Sequence, residues 1–308
     1  MIMVKGSIMT ISLVTGGAGF IGSNIVARLL SLGHEVRVID DESSDAHDSF
    51  YWQQDAKNYI YSILDYERIR SIFNDVDYVF HLAAESRIGP TIEDPVKATY
   101  INTLGTNIVL QCAKQAGVKR VIYSSTAGAY GNNPIPNIET QEDNPLNPYS
   151  VSKVNGEKVC KLYTDMYNLP TIILRYFNVY GSNQPMRGQY APVIGTFGKQ
   201  KQDKKPMTIV GDGEQRRDFV NVLDVVSANI NAALNDIDSK YFGTVFNIGS
   251  GTNYSVNDIA NMIKGQTTSI PEKVGEIKES LADITKAKDV LGWEPIVALP
   301  GWLHEYRY

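Results

Sequence analysis

With 308 residues, 43% of them hydrophobic, the chain can bury a large core in one big domain or two closely packed ones. Its formal charge of −5 leaves no basic face able to neutralise a phosphate backbone, so no nucleic acid is expected as a partner. No apolar run reaches the roughly 18 residues of a membrane helix. Neither the two cysteines (Cys112, Cys160) nor the four scattered histidines (His34, His47, His81, His304) have the spacing of a disulfide framework or a metal site. The expectation is a cytoplasmic protein without membrane association or bound metal, its opening stretch MIMVKGSIMT too short for a signal peptide.

In chain order, ISLVTG (11–16) reads as a strand and FIGSNIVARLLSLG (20–33) as an amphipathic helix closed by Gly33. EVRVID (35–40), YIYSI (59–63), DYVFHLAA (77–84), RVIYSST (120–126) and TIILRYFNVYG (171–181) read as further strands, with helical patterns at 65–74, 95–116 and 149–168. Such alternation predicts right-handed crossovers and a doubly wound parallel sheet, an α/β Rossmann domain over 1–178. Beyond Gly181, turn-rich stretches alternate with helical patterns at 192–201, 222–235 and 255–264 and a short tail helix in LADITKAKDVLGWEP. This predicts a smaller mixed α/β lobe over 179–308 that binds substrate, with a segment around 222–248 returning to the first lobe. The basic run Lys199 to Lys205 reads as a solvated loop, and both cysteines as packing.

TGGAGFIG places Gly16, Gly19 and Gly22 three apart, after a strand and opening a helix. The chain turns sharply at Gly16, the backbone approaches a diphosphate at Gly19, and the helix lies close on the strand at Gly22. The free N–H groups of the helix start, at Phe20 and Ile21, then face the anion. The second strand ends at Asp40, where a carboxylate binds adenosine ribose hydroxyls. Asp41 and Glu42 follow it, and three acids in a row repel a 2′-phosphate, so the expected cofactor is NAD rather than NADP.

NPYSVSK (147–153) sets Tyr149 and Lys153 one turn apart on a helix capped by Asn147 and entered through Pro148. A free phenol titrates near about 10, and an ammonium within ~4–6 Å lowers an acid by roughly 1–3 units. The positive nicotinamide of oxidised NAD adds to this. Thr126, at the end of YSST, can hold a substrate oxygen beside the phenol. Thr126, Tyr149 and Lys153 are the expected catalytic residues, removing a proton from an alcohol while its carbon gives up hydride.

VTGGAGFIGSN, HLAA, SSTAGAYG, YSVSK, LRYFNVYG and GDGEQRRDFVNVLDV together resemble the extended branch of the short-chain dehydrogenase/reductases, over nearly the whole chain, and within it the UDP-glucose and UDP-N-acetylglucosamine 4-epimerases. The resemblance implies that Lys153 and Tyr149 also contact the cofactor, alongside Ser62 and Ile63 after the third strand and Leu82, Ala83 and Ala84 after the fourth. It implies substrate contacts at Thr126, Asn178, Arg217, Lys273 and Ser280. Ser62 stands where the branch often has Asp, and Lys273 where it usually has Arg, a point charge in place of a bidentate fork. Ser280, small where a tyrosine would restrict the pocket to plain hexoses, implies room for an N-acetyl group. The resemblance also implies a homodimer paired through helices 95–116 and 149–168.

Dehydratases of the branch carry Asp-Glu directly after the catalytic Ser/Thr, where this chain has Ala127-Gly128. The expected activity is therefore C4 epimerisation of a UDP-hexose through a transient 4-keto sugar. The alternatives are a UDP-glucuronate epimerase, a 2-epimerase, a dehydratase or a reductase. A non-catalytic NAD sensor on the same fold would need neither Tyr149 nor Lys153. Asp218 is expected to anchor its neighbouring arginine, Asp224 to cap the following helix, and His81 to be structural.

Overall fold

The structure, a computed structural model, describes residues 9–44, 49–186, 192–271 and 277–305. Its centre is a seven-stranded, wholly parallel sheet in the order β10-β6-β5-β4-β1-β2-β3. These strands are β1 (Ile11–Thr15), β2 (Glu35–Asp40), β3 (Lys57–Ile60), β4 (Tyr78–His81), β5 (Arg120–Thr126), β6 (Thr171–Tyr176) and β10 (Thr244–Ile248). The middle strands bury both faces, all six residues of β6 among them, as parallel strands covered on two sides must.

The helices, in chain order, are α1 (Phe20–Ser31), α2 (Tyr66–Ile69), α3 (Ile88–Glu93), α4 (Pro95–Thr99), α5 (Gly105–Ala116), α6 (Pro148–Tyr167), α7 (Val193–Gln202), α8 (Val222–Leu234), α9 (Val256–Ile263), α10 (Thr285–Leu291) and α11 (Leu299–Glu305). On one face of the sheet Ile25 and Leu29 of α1 and Val225 and Ile230 of α8 pack on Val14, Phe80 and Ile122. On the other, Val109 and Leu110 of α5 and Cys160 of α6 pack on Leu13, Val79 and Val121. Leu29 is fully buried, and its truncation to Ala would cost about 2–5 kcal/mol.

The second lobe holds β7 (Asn178–Tyr180), β9 (Arg216–Asn221) and β11 (Asn253–Ser255) in one sheet, and β8 (Met207–Val210) with β12 (Thr267–Ile270) in another. Its core gathers Ile194, Phe197, Phe219, Ile259 and Leu303.

Several elements differ from the sequence reading. The run 171–181 is two strands, because Phe177 leaves the large sheet after bonding its N–H to Ile248 and the chain enters the small one. The third strand stops at Ile60, and Tyr61–Ile63 turn into the cleft instead. The helix expected over 95–116 is preceded by α3 and interrupted by a wide turn at Tyr100–Leu104, where Asn102 is buried. Asp218 is held by other partners than its neighbouring arginine. Its carboxylate accepts the N–H groups of Ser250, Gly251 and Ala282, tying the tail to β9. Asn221, not Asp224, caps α8, while Asp224 accepts the N–H groups of Ile296 and Val297.

Candidate active site

Strand order reverses between β1 and β4, and at the carboxyl ends of such a pair an open sheet leaves a crevice. A cleft of about 340 Å³ lies there. Gly16 adopts φ +70°, and a Cβ on it would sit 2.7 Å from the Ala83 nitrogen, so only glycine brings the turn this close to β4. A Cβ on Gly22 would sit 2.1 Å from the Gly16 carbonyl oxygen, which is why α1 can lie directly on the turn. The α1 start at Gly19 has no side-chain cap and no acid in its first turn, leaving its N–H groups and positive end open to an anion.

Gly16, Gly19, Phe20, Ile21, Gly22, Asp40, Ser62, Ile63, Leu82, Ala83, Ala84, Tyr149 and Lys153 all line this one cleft. Asp40 accepts the N–H groups of Ala18 (3.0 Å) and Glu42 (2.9 Å), which fixes it at the rim, and burial raises its pKa. Arg37 points elsewhere, donating to the carbonyls of Ile72 and Asn74, both at 2.7 Å. The donor set fits a dinucleotide with a free ribose: an uncapped helix start and glycine cradle for the diphosphate, and, for the hydroxyls, a carboxylate that pairs with no cation among the described residues.

Pro148 occupies the first turn of α6, and Asn147 accepts the Ser150 N–H at 2.9 Å. This presents Tyr149 to the cleft and turns Lys153 inward, where it is 3% exposed. Thr126, at the end of β5, accepts the Gly128 N–H at 3.1 Å; it stands beside the Tyr149 phenol and opposes the rise of its pKa, but it is not part of the cleft lining. The ammonium one turn away was expected to lower the phenol. In the chain itself burial dominates and pushes Tyr149 up to about 12. The Lys153 ammonium sits 4.4 Å from the centre of the Tyr123 ring, and burial lowers it to about 8. His81 is buried between the hydroxyls of Thr15 (2.7 Å) and Thr106 (3.0 Å), a packing arrangement that leaves it neutral.

The expected substrate residues form a second group, outside the lining of this cleft. Asn178 donates to the Asp218 carbonyl at 3.1 Å, Arg217 to the carbonyls of Arg216 and Lys278, and the Ser280 N–H to the Arg216 carbonyl. All therefore gather on β9. Ser280 is 8% exposed, and its buried hydroxyl oxygen has no hydrogen-bond partner among the described residues. Lys273 lies outside the described residues, as does His47.

Sequence reading missed Ser124, Ser125, Tyr176 and Arg87, which also line the cleft. The first two were legible in YSST, since strand ends at a crevice expose successive side chains. Tyr176 was hidden inside an apolar run, and Arg87 carried no local signal.

Residues 12–249 match the NAD dependent epimerase/dehydratase family. The chain is 37% identical over 297 residues to a putative UDP-glucose 4-epimerase of Methanocaldococcus jannaschii, covering 93% of this chain and 94% of that one. A solved UDP-glucose 4-epimerase from Thermotoga maritima, with UDP-glucose, is similar at TM-score 0.89 and 36% identity over 96% of both chains. A UDP-N-acetylglucosamine 4-epimerase from Methanobrevibacter ruminantium M1, in complex with UDP-N-acetylmuramic acid, is similar at TM-score 0.89 and 31% identity, again over 96% of both.

Proposed function

The chain belongs to the NAD dependent epimerase/dehydratase family, and from that premise we propose that it inverts C4 of a UDP-hexose. The observation that carries this reading is that Tyr149 and Lys153, one turn apart on α6, line the same cleft as the glycine cradle, with Thr126 at the neighbouring strand end. NAD, when bound in that cradle, supplies the hydride acceptor and donor and a positive charge beside the phenol. Gly16, Gly19 and Gly22, with the α1 start, hold its diphosphate, and Asp40 its adenosine ribose. Ser62, Ile63, Leu82, Ala83 and Ala84 flank it.

Tyr149 takes the proton of the sugar 4-hydroxyl. Because enclosure alone holds the phenol near 12, it works as a base only when flanking positive charge lowers it by several units. Lys153 supplies part of that charge. Thr126 accepts from Gly128 and so keeps its own O–H free to donate, to the phenol or to the substrate oxygen. After the sugar turns about its diphosphate link, Tyr149 returns the proton to the other face. Asn178, Arg217, Lys273 and Ser280 hold the nucleotide-sugar end.

Where the dehydratases this chain resembles carry Asp-Glu, it has Ala127 and Gly128, neither of which can supply an acid, which favours epimerisation over elimination. The smallness and burial of Ser280 favour sugars with an N-acetyl group at C2, which we place among the substrates together with UDP-glucose and UDP-galactose. Exposed Val96, Tyr100, Leu162 and Met166 on the α4–α6 side supply the apolar face for the homodimer we propose. Incubation with a panel of nucleotide sugars, read at C4 by proton NMR, tests the reaction. Inversion of a UDP-hexose without net cofactor consumption is expected, and net consumption would assign a reductase instead.

A further inference from the structure

Three charged side chains are buried close together beneath the reactive end of α6: Lys153 at 3%, Glu157 at 5% and Arg175 at 3% exposure. Burying a charge is costly unless another charge compensates it. Arg175 and Glu157 compensate each other through a two-pronged pair, Nε to Oε1 at 2.8 Å and Nη2 to Oε2 at 2.6 Å. The Ser125 hydroxyl also donates to Glu157, and Arg175 reaches Asp143 at 2.6 Å. Lys153 has no carboxylate within ion-pair distance among the described residues and rests on the Tyr123 ring. What keeps it an ammonium must act from further away.

We propose that Glu157 is a positioning residue that holds Lys153 in its charged form, acting through its field across one turn of α6 rather than through a direct ion pair. The two side chains are four residues apart and share a helix face. Gly156 lets that face lie close on β5, since a Cβ there would meet the Tyr123 hydroxyl at 2.0 Å. The other titratable groups facing Lys153 are Tyr149 and Cys160 on α6, Tyr123 on β5 and His81 on β4. Burial pushes both tyrosines and the thiol up and the imidazole down, so all four are neutral near pH 7. Glu157 is left as the anion of the set. Its partner Arg175 offsets part of the field, and Asp143, which shares the Nη2 of Arg175 with Glu157, restores some of it.

The proposal rests on the functional reading only in that a charged Lys153 matters to Tyr149, and its test reads Lys153 directly. Lysine labelled with carbon-13 at Cε is titrated by NMR in the chain without NAD, with Lys153 assigned by the signal missing in Lys153→Met. The wild-type midpoint is expected near 8. In Glu157→Gln it should fall by about one unit or more, a tenfold weaker hold on the proton. An unchanged midpoint in a folded Glu157→Gln chain overturns the proposal. If circular dichroism shows that this variant does not fold, Asp143→Asn replaces a half-exposed carboxylate and leaves Arg175 less compensated. A downward shift of roughly a few tenths then supports the proposal, and no shift overturns it. Absence of C4 inversion by the wild type would refute the functional reading without touching this result.

Discussion

Gly22→Ala tests the phosphate cradle through a clash that cannot be relieved locally. The added Cβ would lie 2.1 Å from the Gly16 oxygen and 2.8 Å from the Gly17 Cα, both backbone. Ordinary contact begins at 3.4 Å, so helix and turn must part by 3.4 − 2.1 = 1.3 Å. Overpacking of this kind costs about 1–3 kcal/mol, a Tm loss of several degrees in a domain of this size. The same movement carries the first-turn N–H groups away from the diphosphate. Losing one or two hydrogen bonds to a charged group, each ~1.5–3 kcal/mol, weakens NAD binding by roughly 10²-fold. Calorimetric titration with NAD and a thermal melt measure both effects. Gly33→Ala is the control: Gly33 is also left-handed, with φ +81°, but has nothing within 4 Å, so it should lose stability while keeping NAD affinity. A Gly22→Ala chain that melted with the parent and bound NAD equally well would refute the cradle.

Tyr149→Phe keeps the ring and removes the proton acceptor, so kcat should fall about 10³-fold or more while NAD affinity, read by calorimetry, is retained. Ser280→Tyr fills the small buried position, and kcat/KM for UDP-N-acetylglucosamine should fall at least about tenfold relative to UDP-glucose; equal losses on both sugars would remove Ser280 from the specificity argument. Lys153 also predicts a pH dependence of stability. Its folded pKa, about 8, lies below its ordinary 10.5, so the unfolded chain binds the extra proton between those values and stability rises with pH across that window. The full shift is worth roughly 3 kcal/mol. Denaturant unfolding of the NAD-free chain between about pH 8 and 9.5 should show part of this rise, and Lys153→Met should lack it.

The parallel sheet and the tight glycine turn after its first strand were legible because their cause is local. Apolar runs separated by helical periods fix the strands, and a glycine triplet between strand and helix can do little else. Tyr149 and Lys153 were legible from their spacing and the Asn147-Pro148 start. What escaped the sequence depended on long-range packing. Asp218 is next to arginines in the chain, yet burial gives it backbone partners from 250, 251 and 282. Asp224 sits in the first turn of its helix, yet it pins a tail more than seventy residues away. The phenol's pKa followed neither its neighbour in sequence nor its ordinary value, because enclosure outweighs an ammonium that the fold seats on Tyr123. Glu157 stood in plain view four residues beyond Lys153, but its burial against Arg175 and Ser125 depends on strands that only the sheet brings near.

In the proposed reaction the Tyr149 centre lets C4 become a carbonyl and then restores its hydrogen. UDP-hexose deuterated at C4, turned over beside the protiated sugar, tests it most directly. Inversion at C4 with a primary isotope effect is expected, the deuterium still on C4 of the product. Washout of that label into water, or inversion at the same rate for both isotopes together with no oxidised sugar trapped by hydride reagents, would contradict it.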